Sequence, residues 1–134
     1  MLLKYVSVAA RWIFGLWYFI TGGAWLAGHL LGSGVTHHEV VASAIAFQAA
    51  LTESRFMDPL LATTCLFGGA ALLFRRTSPL GIVVLAPVVV VIFLFHVVLS
   101  GNWMWGTLNL VWLASLAWRC RSAFATLWSY VDSP

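Results

Sequence analysis

Charge is what this chain has least of. Only 8% of its 134 residues are Asp, Glu, Lys or Arg, against 62% hydrophobic. A soluble domain of this size carries about a quarter charged residues, so there are too few here to solvate a globular surface, and an integral membrane protein is expected. Cysteine is almost missing as well. Cys65 and Cys120 form no C-x-x-C pair, and thiol–disulfide exchange by this chain alone has no motif behind it. There is no Ser/His/Asp set, no phosphate-binding glycine loop and no carboxylate pair inside an apolar segment. The seven Lys and Arg residues are dispersed, which argues against a nucleic-acid partner.

What the chain does have is apolar length. Crossing a bilayer takes about 20 helical residues, and four segments qualify: residues 6–31, 59–74, 79–99 and 105–127. None alternates as barrel strands do, and backbone groups in lipid must be satisfied within the segment, so helices are predicted. The first segment is too long and too aromatic for a signal peptide. The polar loop between the first two, Gly32–Asp58, contains "THHEVVASAIAFQAALTESRF". Its apolar residues recur at helical spacing after Thr36, a candidate N-cap with Glu39 three residues on. That pattern predicts a short amphipathic helix over residues 37–52. Short connections make the remaining segments neighbours, so the expected fold is all-α: one domain, an antiparallel four-helix membrane bundle. Pro87 is expected to bend the third segment.

Six of the seven cations, Lys4, Arg11, Arg75, Arg76, Arg119 and Arg121, fall on one side of a four-span arrangement. Cations of short loops stay in the cytoplasm, which places both termini inside and the loop helix outside. A multi-pass protein of the bacterial cytoplasmic membrane is expected, its partners the lipid bilayer and other membrane subunits.

All four histidines fall toward the outer side. At about 1.5 Å per helical residue, His29 lies roughly 27 Å beyond Arg11 and His96 roughly 30 Å beyond Arg76, with His37 and His38 in the loop. Three readings of them stand open. Each histidine anchors its helix end through a local hydrogen bond. Alternatively, His96 with His29 or Trp103 binds a quinone headgroup, since imidazole can donate to a carbonyl oxygen and exchange protons near neutral pH. In the third, His29 and His96 ligate haem iron or copper. Cys65, about 15 Å from Arg75 along its helix, reads as a small packing residue.

The stretch "RWIFGLWYFITGG" with Arg11, Gly15, Phe19 and Gly22, the stretch "RFMDPLLATTCLFGGAALLF" before "RRT", and an apolar helix ending in His96 resemble the DoxX family of small four-helix bacterial membrane proteins. The likeness spans nearly the whole chain. It implies a four-helix fold and involvement with membrane redox systems, as a quinone-reducing subunit or an accessory partner of an oxidoreductase. Where many members carry a glutamate shortly before the paired glycines, this chain has Cys65, and its loop over residues 32–53 is longer. Two functional classes follow. One is an accessory or quinone-interacting subunit of a membrane oxidoreductase, working through His96, Trp103, Trp105 and Asn109. The other is a non-catalytic scaffold that docks another membrane protein. Transport has less behind it, because the segments lack buried charge and show no inverted repeat.

Overall fold

In the computed structural model all regular structure among the described residues is helical. Those residues are 2–33 and 41–128, with side chains described over 5–33 and 41–125. The helices are α1 (Leu2–Leu30), α2 (Ala42–Glu53), α3 (Met57–Leu73), α4 (Ser78–Leu94), α5 (Trp103–Arg119) and α6 (Arg121–Trp128). A π-helical turn, Phe95–Ser100, prolongs α4. Together they form one 23-residue helix with an 18-residue stretch of mean hydropathy 3.1, the one described helix long and apolar enough by itself to cross a membrane. Helices α2 and α3 meet that standard jointly, bent by 93° at the break between them. The 29-residue α1 has the length, but its Trp, Tyr and Gly residues dilute its hydropathy. Helix α5 stops at 17 residues.

Glycine decides how the helices meet. A Cβ on Gly22 of α1 would stand 2.6 Å from the backbone nitrogen of Leu66 and 2.7 Å from the Ala62 carbonyl oxygen of α3. Only a residue without a side chain lets the two backbones come so near. Gly15 lies against Leu72 and Leu73 of the same helix, so α1 and α3 run antiparallel. Helices α3 and α4 do likewise through Gly68 against Leu85 and Gly81 against Leu72, and α5 meets α4 where Gly106 faces Phe93 and His96. The core between them is built on Phe14, Leu72, Leu85 and Val89, each almost fully buried.

The seam between α1 and α5 is different in kind. It is filled by large rings, Phe14 against Trp112 at 5.4 Å and Trp17 against Trp105 at 5.9 Å between centroids. Small residues on one side of α1 and bulky ones on the other open the four long helices as a wedge. By this antiparallel register Arg11, Arg75, Arg76 and Arg119 share one end, and α2 lies at the other.

Helix α2 departs from expectation in two respects. It begins at Ala42, because Val41 holds an extended backbone (φ −88°, ψ 126°) and no side chain caps it. The expected cap at Thr36 and the loop histidines His37 and His38 lie outside the described residues. Nor is α2 amphipathic in the expected sense: apolar residues surround it, Ala44 buried and Ile45 exposed. It is pinned across the end of α4, with the Ser43 hydroxyl donating to the Leu99 carbonyl at 3.0 Å and Phe47 packed on Phe95 at 5.8 Å. The α2–α3 corner turns on Arg55, whose φ of 64° is left-handed, and there the Ser54 hydroxyl accepts the Met57 N–H at 3.2 Å. Helix α4 continues through Pro87, whose side chain is exposed.

Candidate functional site

The wedge is not filled. A cavity of about 480 Å³ lies between α1, α3, α4 and α5, with α2 across its end, a size ordinary for small-molecule sites. Trp17, Tyr18, Thr21 and Trp25 border it from α1, a spacing that keeps one helical face toward it. Phe47, Gln48 and Leu51 of α2 form its roof. Asp58 and Cys65 come from α3, Val88 and Ile92 from α4, Phe95 and His96 from the π turn, Trp105 and Asn109 from α5. Most of this wall is apolar or aromatic, so its few polar groups determine what it can recognise.

Four of their donors are engaged within the protein. The buried Tyr18 hydroxyl donates to Asn109 Oδ1 at 3.1 Å, and Asn109 Nδ2 donates to the Trp105 carbonyl at 3.0 Å. His96 Nδ1 is 2.8 Å from the Ile92 carbonyl oxygen. A carbonyl can only accept, so Nδ1 carries the proton, and in the neutral ring Nε2 is left as an acceptor. The Thr21 hydroxyl bonds back to the Trp17 carbonyl. The Gln48 amide and the Asp58 carboxylate make no such bond among the described residues. Asp58 is 7% exposed as a residue and borders the cavity.

The π turn is part of how His96 is placed. Such wide turns are rare and recur at functional sites. Here the turn begins three residues after Ile92, whose carbonyl the imidazole bonds, and the rings of Phe95 and His96 meet edge to face at 5.3 Å. Gly106 backs the arrangement from α5, since a Cβ there would come within 2.9 Å of His96 Cβ.

Of the residues singled out from sequence, His96 and Asn109 border the same cavity, while His29 and Trp103 do not. His29 is exposed in the last turn of α1, one turn beyond Trp25 and past the cavity rim. His29 and His96, expected from sequence to act together on a quinone, haem or copper, do not share this cavity. Trp103 is the first residue of α5 and 64% exposed; the tryptophan that reaches the cavity from this helix is Trp105. No group of three or more His, Cys, Asp or Glu residues suited to a metal ion occurs among the described residues. Cys65 is a free, buried thiol that packs in the core and also faces the cavity.

Two residues escaped the sequence reading. Tyr18 lies in an aromatic-rich run where nothing distinguishes it from its neighbours. Asp58 was placed in the outer loop, but it occupies the first turn of α3. The signal available was Asp directly before Pro59, a pairing common where a helix begins. Comparison with protein-family models, curated proteins and solved structures finds no match.

Proposed function

We propose that this chain is a multi-pass membrane protein, four-span and DoxX-like, that serves as an accessory component of a bacterial membrane redox system and holds a quinone-type headgroup in its cavity. The observation that carries the reading is the convergence of His96 and the Tyr18–Asn109 pair on one largely aromatic cavity. A flat, amphipathic ring suits such walls, and a few polar groups to orient it suit a ligand with oxygen at its ends.

The membrane reading draws support from the outside of the molecule. Large apolar side chains are exposed on every long helix: Trp12, Trp17 and Ile20 on α1, Phe67 on α3, Val83 and Leu94 on α4, Val111 and Trp118 on α5. Exposed apolar surface on this scale belongs against lipid or another protein. Cations at the end opposite α2 support a topology with α2 and the roof of the cavity on the outer side. Trp118 lies under the Arg121 guanidinium, 5.1 Å from ring centroid to Cζ, an arrangement that suits the inner interface.

The test is retention. Protein purified in mild detergent and extracted with organic solvent is expected to release quinone in a fixed ratio to protein, and His96→Leu to release much less. An extract free of quinone from protein that still carries native lipid would contradict the reading. The same exposed aromatic faces favour the second reading, a scaffold docking another membrane protein; it would show as stable co-purification of a partner that His96→Leu leaves unchanged.

A further inference from the structure

We infer that Asp58 makes the cavity selective for the reduced, hydroxyl-bearing form of its ligand, the quinol, over the oxidised quinone. The inference rests on reading the cavity as a quinone-type site and names the redox form that it takes.

Three donors that border the cavity are committed within the protein: Tyr18 to Asn109, one N–H of Asn109 to Trp105, His96 Nδ1 to Ile92. The Gln48 amide and the Trp17 and Trp105 indoles can still donate to a ligand oxygen. Acceptor capacity stands open as well, in the two oxygens of Asp58 and, in the neutral ring, His96 Nε2. Asp58 is 7% exposed as a residue, and its carboxylate has no partner among the described residues. The selection belongs to the ionised carboxylate, which is an acceptor only. A quinol hydroxyl donating to it forms a charge-assisted bond, among the stronger hydrogen bonds proteins make. A quinone in the same pose would set a carbonyl oxygen against a carboxylate oxygen, leaving both desolvated and unpaired.

Discrimination of this kind exceeds what shape alone gives, because quinol and quinone are nearly the same size. A site that accepts a hydrogen bond from a ligand hydroxyl rejects the analogue without it, since the site's own group is then left bare. One such mismatch corresponds to on the order of ten- to a hundredfold in affinity. Much of the cavity wall, Leu61 and Phe47 included, is apolar and offers neither acceptor a substitute partner.

The experiment is equilibrium dialysis of the full chain in detergent micelles, without oxygen, against one short-chain benzoquinone presented either oxidised or chemically reduced. The wild-type protein is expected to bind the reduced form at least tenfold more tightly. Asp58→Asn, which offers the cavity a donor as well as an acceptor, is expected to bring the ratio close to one. The wild-type ratio needs no variant, so a misfolded Asp58→Asn does not blunt the test. Equal binding of both forms by the wild type overturns the selection and leaves the quinone reading standing; binding of neither form overturns both. A tetraalkylammonium ion that binds more tightly than the quinol, and loses that advantage in Asp58→Asn, would also overturn it, assigning the carboxylate to recognition of a cation through the surrounding aromatic rings.

Discussion

Two buried hydroxyls in this protein meet opposite fates. That of Tyr18 spans α1 and α5 to reach Asn109. That of Ser78, 3% exposed at the start of α4, has no partner among the described residues. Tyr18→Phe is expected to lower stability by about 1 kcal/mol, the net worth of a buried neutral hydrogen bond with its acceptor left behind. Ser78→Ala removes an unsatisfied group and is expected to be neutral or stabilising by up to about 1 kcal/mol. Reversible unfolding in mixed micelles measures both, and a larger loss from Ser78→Ala than from Tyr18→Phe would contradict this assignment. The two sites also mark what is legible in a sequence. His96 drew notice because an ionisable residue in an apolar run is rare, and Asn109 because it is polar within an apolar segment. Tyr18 is one aromatic among many, and only the closeness of α1 and α5 gives its hydroxyl a role. Asp58 was visible as a residue but misplaced, since helix boundaries are the least certain feature of a sequence reading and this boundary decides whether the carboxylate faces water or the cavity.

The helices were legible as helices because lipid-length apolar runs with small residues admit little else. Their separations were not, because these depend on which face each glycine presents. Gly22 and its neighbour Gly23 test that point. A Cβ at Gly22 would stand 2.6 Å from the Leu66 nitrogen, whereas at Gly23 the nearest atom is Leu66 Cδ1 at 3.5 Å. Gly22→Ala is expected to cost about 1–3 kcal/mol as α1 is pushed from α3, and Gly23→Ala to change little. Similar losses from both would mean that the helices do not meet on the face described. Gly106→Ala bears on the site itself, since its methyl group would press on His96 Cβ and Phe93. It is expected to weaken ligand binding several-fold while leaving the helical content by circular dichroism unchanged. The π turn that carries His96 has no sequence signature of its own. An extra residue in one helical turn leaves no mark on composition and reshapes hydropathy periodicity only locally, so the orientation of the imidazole could not be read in advance.

For the whole molecule, scarcity of charge is the governing fact. Apolar side chains cover the outside of the long helices as well as their core, and Arg11, Arg75, Arg76 and Arg119 gather at the end away from α2. If that end is cytoplasmic, labelling from outside distinguishes the two ends. With Cys65 and Cys120 replaced by alanine, Thr52→Cys in α2 is expected to react with a membrane-impermeant maleimide on intact cells, and Ser122→Cys in α6 only after the membrane is opened. Labelling of both on intact cells would contradict the four-span arrangement. Tryptophan supplies the most direct measurement of the central proposal, because Trp17, Trp25 and Trp105 border the cavity and a bound quinone quenches indole fluorescence on contact. Titration of the purified protein with a short-chain benzoquinone, carried far enough to fill the site with the more weakly held oxidised form, is expected to give a saturable quenching component that weakens in His96→Leu and is halved or less in the paired variant Trp17→Phe with Trp105→Phe. Quenching that rises linearly without saturation, and that neither variant alters, would show that the quinone is dissolved in the micelle and not held in the cavity.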